Sequence, residues 1–286
     1  MTRRAAVRRQ ANAKINVFLR VLRSRDDGYH DIESLVVPVS LADRITARPA
    51  DGLRVTMKGA EDLARKVPVG GLNLALVAAL SLADECEHAG GAEVEIDKRI
   101  PVAAGLGGGS ADAAATLGAL NELWRCRLDM EALADIAARV GSDVPAMLAG
   151  GPVLVRGRGD VIDPVTVDRL WWVVRSFDFG IRSPDGYRWW DEDRAPSGPD
   201  PAPLLLAATK GDPETLGPLL FNDLERPVFG RHPELAEAKA ALLEAGALGA
   251  VMSGSGSSVA GLARDQGHAG SLAKRFPSAR VVAGPP

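Results

Sequence analysis

Apolar residues recur along this chain with two distinct periods, and the switches between them lay out its elements. Over residues 7–22, Ile15, Val17, Leu19 and Val21 alternate with polar or smaller neighbours, the period of two expected of a strand. Asp26-Asp-Gly-Tyr-His30 interrupts the pattern as a turn, and strands are predicted again over 32–38, 43–47 and 53–57. Leucines and alanines spaced by three and four predict a helix over 74–89, followed by an alternating strand over 92–97. Helices are expected over 110–124 and 130–139, with a short one after Ser142, before strand character returns over 150–155. The chain loosens at Arg156-Gly-Arg-Gly-Asp160, and the pattern resumes with a strand over 171–176. Residues 191–203, rich in proline, glycine and acidic side chains, read as an exposed loop. Helices over 202–210, 213–220 and 233–246 follow, then a strand, a glycine-serine loop, a helix and a last strand. A boundary near 156–168 divides the chain into two expected domains, 1–160 and 161–286, with no internal repeat.

Composition narrows the class. The 286 residues are 46% hydrophobic and 25% charged, the balance of a soluble globular protein long enough to bury a substantial core. A formal net charge of −3 gives no electrostatic reason to expect nucleic acid or an anionic membrane as partner. Arg3, Arg4, Arg8 and Arg9 form the one basic cluster and read as a solvated start to the first strand. The two cysteines, Cys86 and Cys126, have no metal-ligand spacing, so neither a disulfide framework nor a zinc site is expected. No run approaches the roughly 20 apolar residues of a membrane span, and no secretory signal opens the chain, so the expected location is the reducing cytoplasm.

The most informative segment is Pro101-Val-Ala-Ala-Gly105-Leu-Gly107-Gly108-Gly109-Ser110-Ala-Asp112, between a predicted strand and a predicted helix. Its four glycines let backbone N–H groups turn toward a ligand, and the helix start behind them favours phosphate. No Gly-Lys-Ser/Thr closes the loop, so it is not a Walker A sequence, and it lacks the placement of a dinucleotide fingerprint. Read alone, it serves equally as a packing turn, and Ser110 as a helix cap, a phosphate contact or a magnesium contact. Lys14 stands within an apolar strand, where an ammonium needs an anion or a snorkelling path to solvent. Asp143 opens a short helix at Gly141-Ser142-Asp143-Val144-Pro145, where capping is the simpler explanation. A second flexible loop, Ser253-Gly254-Ser255-Gly256-Ser257-Ser258, lies near the C-terminus.

Taken together, the lysine strand, the Pro-x-x-x-Gly-Leu-Gly loop and the Gly-Ser-Gly loop resemble the three motifs of the GHMP kinases, in order and across the whole chain. Ala13-Lys14-Ile15-Asn16, Gly28-Tyr29-His30, Ile96-Asp-Lys98-Arg-Ile-Pro101 and Gly141-Ser-Asp143-Val-Pro145 are similar to the branch serving the non-mevalonate isoprenoid pathway. The resemblance implies an α+β fold of two domains, the N-terminal one like ribosomal protein S5 domain 2 and the C-terminal one ferredoxin-like. It implies a cytoplasmic enzyme that uses ATP and Mg2+ to phosphorylate a hydroxyl of a small molecule bearing cytidine diphosphate. Lys14 and Asp143 match the catalytic pair. Asn73, Lys98, Pro101, Gly105, Leu106, Gly107, Gly108, Gly109 and Ser110 match the ATP site, with Ser110 also toward the metal. Asn16, Tyr29, His30, Pro184, Tyr187, Gly254, Ser255 and Gly256 match the substrate side. A mevalonate-type or homoserine-type kinase, a decarboxylase relative and a non-catalytic nucleotide sensor are the rival readings, and a homodimer is left open.

Overall fold

The computed structural model describes residues 6–59, 70, 73–87, 89–193 and 196–286. Arg3 and Arg4 of the basic cluster, His88 of the predicted helix, and Arg194 and Ala195 of the acidic-proline stretch lie outside the described residues. The chain forms two compact units. One gathers residues 1–13, 41–102 and 107–150, the other 14–40, 103–106 and 151–286. The segments of the two units alternate along the first 150 residues. Two long strands, β1 (Val7–Ser24) and β2 (His30–Pro49), each contribute a half to both units.

In the first unit, β2 pairs antiparallel with β4 (Ala92–Lys98) from Arg44↔Asp97 to Pro49↔Ala92, and β3 (Arg54–Gly59) runs parallel along the same strand. Strand period two sends Ala92, Val94 and Ile96 into the core and leaves Glu93, Glu95 and Asp97 half-exposed. Lys98 continues the buried register with a charge. The core is completed by helices α1 (Leu74–Glu85), α2 (Gly108–Trp124), α3 (Met130–Val140) and α4 (Val144–Leu148). Alanines 75, 78 and 79 of α1 and 111, 113 and 114 of α2 are buried, and such small side chains let helix backbones approach closely. α1 ends at Glu85, short of the predicted residue 89.

Cys86, just beyond α1, and Cys126, just beyond α2, are joined in a disulfide with their Cα atoms 5.3 Å apart. This overturns the expectation of unpaired thiols. Forty residues separate the two in sequence, and only the packing of the two helix ends brings them together.

The second unit holds the other half of β2, paired antiparallel with β5 (Val153–Gly157), which in turn pairs with β6 (Val161–Pro164). β1 lies between β2 and the two-residue strand β8 (Phe221–Asn222), with Phe18↔Phe221 and Leu19↔Asn222 in parallel register. A separate antiparallel sheet has the order β11-β7-β10-β9, from β7 (Leu170–Ser176), β9 (Gly249–Met252), β10 (Ser258–Ala263) and β11 (Arg280–Gly284). Helices α5 (Ser183–Asp193), α6 (Ala202–Lys210), α7 (Pro213–Leu216), α8 (Glu225–Arg231), α9 (Pro233–Glu244) and α10 (Gln266–Ala273) complete the unit. The pattern missed β6, β8 and α8, which are too short to show a period, and α5 extends into the stretch expected to be loop. Both units mix helices with largely antiparallel sheet, as an α+β fold requires. Among the described residues, no helix is long and apolar enough to cross a membrane.

A cross-link over 40 residues removes chain entropy from the unfolded state. Unfolding in denaturant should therefore require about 4 kcal/mol less after reduction than before it. Equal stability, or two free thiols titrating in the unreduced denatured protein, would show that the bond does not form.

Candidate active site

In the first unit the glycine loop leads directly into α2. Gly107 takes the left-handed conformation (φ 68°) at the helix N-cap, and no side chain caps the helix. The capping role open to Ser110 is therefore not the one it plays; it sits half-buried in the first turn. At Gly108 a Cβ would lie 3.0 Å from Ile100 Cγ2, a tight contact, and 3.5 Å from Lys98 Nζ, an ordinary one. An uncapped 17-residue helix, entered through glycines, presents its first N–H groups and its positive end as a phosphate cradle.

Two residues matched to the ATP site have their polar atoms engaged within the protein. Asn73 Oδ1 accepts from the N–H groups of Ala75 (3.0 Å) and Leu76 (3.2 Å), capping α1. Lys98, 4% exposed, donates to Asp43 and to Asp112 Oδ2 (2.7 Å). Burial by itself would lower the Lys98 pKa, but the two carboxylates outweigh it and the net direction is upward. Burial pushes the Asp112 carboxyl up to about 8; Lys98 opposes the rise and Asp43 adds to it. Asp143 stands at the head of α4 with an exposed side chain that makes no capping bond. The simpler capping explanation for this aspartate is set aside.

The second unit carries the lysine strand and the Gly-Ser-Gly loop. Lys14 and Asn16 are 3% and 5% exposed, so Lys14 does not snorkel to solvent. The ammonium donates to Asn16 Oδ1, Asn16 Nδ2 donates to Ser34 Oγ (2.8 Å), and Ser34 Oγ donates to the Phe18 carbonyl (2.7 Å). That relay fixes the Asn16 amide with its oxygen toward the ammonium. The Lys14 N–H donates to the Leu106 carbonyl (3.0 Å), tying the strand to the tip of the glycine loop. Ser253 Oγ accepts from the Asn16 N–H (3.3 Å) and donates to the Gly105 carbonyl (2.9 Å). Gly105 itself (φ 74°) rests on the second loop: a Cβ would overlap the Ser253 carbonyl oxygen and lie 2.9 Å from that of Gly256. At Gly254 (φ 57°) a Cβ would come within 3.0 Å of Lys14 Nζ.

Sequence reasoning missed Asn222, the residue that holds this second loop. It is buried, with Nδ2 donating to the carbonyls of Met252 (2.7 Å) and Gly254 (2.8 Å) and Oδ1 accepting from the Leu224 N–H (2.9 Å). Its neighbour Asp223 accepts from the Val21 (2.7 Å) and Gly198 (3.1 Å) N–H groups. Burial raises the Asp223 pKa against the pull of those bonds. A polar pair between apolar runs, Phe221-Asn222-Asp223-Leu224, is the signal that was available.

The remaining candidates are partly assembled. His30 Nε2 lies 3.0 and 3.1 Å from the two oxygens of Asp191, the Tyr187 ring stacks on the imidazole at 4.9 Å, and Trp190 meets it edge-on at 5.9 Å. Ser24 Oγ donates to Asp191 as well; burial would raise that carboxyl, but these hydrogen bonds prevail and hold it below the usual range. Tyr29 is exposed, with the Arg158 guanidinium 5.5 Å from its ring centroid. Pro184 is exposed on the first turn of α5, and Ser255 is buried with its hydroxyl toward the Ile181 carbonyl (3.3 Å). Tyr187 therefore joins His30, while Pro184 makes no comparable ring contact among the described residues.

The uncapped helix and glycine cradle fit the phosphates of ATP. Magnesium uses phosphate and water oxygens with few protein ligands, so the Ser110 hydroxyl is compatible with it. Among the described residues, no group of three or more His, Cys, Asp or Glu side chains is placed to hold a metal.

Residues 73–151 match the GHMP kinases N terminal domain and 204–282 the GHMP kinases C terminal domain. The 4-diphosphocytidyl-2-C-methyl-D-erythritol kinase of Symbiobacterium thermophilum is 42% identical over 93% of this chain and 94% of its own. That of Leifsonia xyli is 39% identical over 96% and 94%. A crystal structure of 4-(cytidine 5'-diphospho)-2C-methyl-D-erythritol kinase superposes with a TM-score of 0.81 at 35% identity, covering 97% of this chain and 98% of that one. The homoserine kinase of Cytophaga hutchinsonii shares the fold, with a TM-score of 0.72 at 21% identity over 98% and 94%.

The two glycine environments predict opposite responses to a methyl group. Gly105→Ala should cost more than about 2 kcal/mol, from the left-handed backbone and the overlap together. At Gly109 a Cβ would meet only Leu74 Cδ1, at 3.8 Å. Gly109→Ala should therefore stay within about 1 kcal/mol of the parent. Urea unfolding of the two variants checks the contrast, and similar values for both would contradict the close seat at Gly105.

Proposed function

The chain belongs to the GHMP kinase family, and from that premise we propose that it transfers the γ-phosphate of ATP to the 2-hydroxyl of 4-diphosphocytidyl-2-C-methyl-D-erythritol. The observation that carries this reading is the extent of likeness: relatives bearing that name are about 40% identical over nearly the whole chain. Homoserine and mevalonate kinases share only the fold, at 21% identity or less. The stacked pair His30 and Tyr187, with exposed Tyr29 in the same unit, supplies aromatic surface suited to a pyrimidine. An enzyme that draws on ATP inside the cell acts in the cytoplasm under this reading.

Phosphoryl transfer depends on position and charge more than on covalent help from the protein. The N–H groups of residues 107–110 hold the terminal phosphates at the uncapped end of α2. When bound beside Ser110, Mg2+ offsets the charge of the phosphate oxygens. Asp143, exposed and free of a capping bond, orients the attacking hydroxyl and receives its proton. Lys14, held in its rotamer by Asn16, lowers the energy of the alkoxide as charge develops. Tyr29, His30 and Tyr187 take the cytosine, and residues 254–256 pack against the lysine side of the substrate.

Turnover of ATP should occur with 4-diphosphocytidyl-2-C-methyl-D-erythritol and not with mevalonate, phosphomevalonate or homoserine, as read by ADP release. Turnover of another alcohol would keep the family and discard the substrate. Release of carbon dioxide would mark a decarboxylase, and nucleotide binding without turnover a sensor. Asp143→Ala should lose about 10²-fold or more in kcat while binding ATP normally. Near-parental kcat in that variant would remove Asp143 from the mechanism.

A further inference from the structure

Lys98 and the two carboxylates around it form the most deeply buried charged cluster in the first unit: Lys98, Asp43 and Asp112 are 4%, 0% and 3% exposed. Each member comes from a different element. Asp43 lies on β2, Lys98 ends β4, and Asp112 is in the second turn of α2. The glycine loop is the chain that connects the last two. Asp43 Oδ2 and Asp112 Oδ2 both accept from the ammonium, so the segment is closed at its base by one ion-paired bridge.

The cluster also shapes the first residues of the loop. Asp43 Oδ1 accepts from the backbone N–H groups of Arg99 and Ile100 (2.9 Å for Ile100), turning the chain out of β4 just before Pro101. Proline holds the preceding residue extended, so these two bonds and Pro101 define the exit direction together. On the other side, Lys98 Nζ and Ile100 Cγ2 lie directly beneath Gly108, the first residue of α2. An ammonium under a helix N-terminus is unfavourable alone, because both are positive. The Asp43 carboxylate neutralises the ammonium, and Asp112 supplies a second acceptor for it.

An ammonium engaged in this way is not directed at a nucleotide. We propose that Asp43, Lys98 and Asp112 act as a clamp that sets the conformation of the glycine loop, with Lys98 a positioning residue for ATP rather than its ligand. The inference rests on the kinase reading for its substrate, but the geometry of the clamp does not depend on which alcohol is phosphorylated.

Asp43→Asn is the discriminating variant. Asparagine keeps an oxygen to accept from Arg99 and Ile100, while its NH2 group replaces the oxygen that receives the ammonium. This variant and Lys98→Met should raise the KM for ATP by about tenfold to a hundredfold through misplacement of the loop, leaving kcat at saturating ATP within threefold of the parent. The KM for the alcohol should stay within twofold. Backbone amides of residues 99–111 should exchange hydrogen faster in both variants than in the parent.

Loss of ATP affinity in Lys98→Met with parental exchange over 99–111, or parental ATP affinity in Asp43→Asn, would overturn the clamp. So would an equal loss in both KM values and kcat, the mark of a merely structural role. Should Lys98→Met fail to fold, the isosteric Asp43→Asn decides the matter. Should the parent turn over none of the alcohols, the kinase reading falls. ATP dissociation constants and exchange rates then still decide the clamp.

Discussion

The contact of Gly105 with the loop at Ser253–Gly256 is backbone against backbone, and the polar architecture of the second unit depends on it. A side chain at position 105 would occupy the space of the Ser253 carbonyl. Because there is none, the Gly105 carbonyl can receive Ser253 Oγ, and the same hydroxyl can receive the Asn16 N–H. Leu106 then meets the Lys14 N–H one residue along. Strand β1 is thus fixed along its length by two loops distant in sequence, and Asn222 holds the farther loop from behind. Remove the seat, and the buried donors and acceptors it satisfies lose their partners together, which is why its cost exceeds that of a single lost bond.

Lys14 was legible as a lysine within an apolar strand and Lys98 only through the resemblance, and the two buried lysines have divergent surroundings. Lys14 faces the uncharged amide of Asn16, itself oriented by Ser34. Lys98 faces two carboxylates and closes a loop. Sequence position cannot separate these cases, since each lysine merely continues an apolar strand. Their difference arises from Asp43, 55 residues before Lys98, and Asp112, 14 residues after it. Neither aspartate carries a motif of its own.

What the sequence revealed follows the same division. Glycine spacing between a strand and a helix marked a special loop, because the left-handed backbone at Gly105 and Gly107 demands glycine, but it left phosphate binding and a packing turn equally open. The alternation of β4 and the three-and-four spacing of α1 were readable because each of these elements buries one face, whereas residues 13–19 of β1 are buried on both. Short pieces such as β8 and α8 show no period, and β8 matters most, because it carries Asn222. The Cys86–Cys126 bond was hidden for a related reason: it records the meeting of two helix ends, and local spacing contains no trace of that. The interleaving of the units was equally hidden, since β1 and β2 pass through both without a break in their pattern.

Under the proposed function, phosphate handling and alcohol recognition would use different chemistry, which bears on how a family can keep its fold while changing its substrate. The proposed phosphate cradle is built from glycine backbone, an uncapped helix end and a buried charge bridge. The His30, Tyr187, Trp190 and Asp191 cluster is built from side chains on β2 and α5. On that reading, substitution in α5 would alter one aromatic wall and leave the Asp43–Lys98–Asp112 bridge untouched, whereas substitution at Asp43 would disturb the cradle whichever alcohol is bound. Constraint at the buried bridge would then preserve the reaction, and freedom in the aromatic wall would allow its acceptor to change.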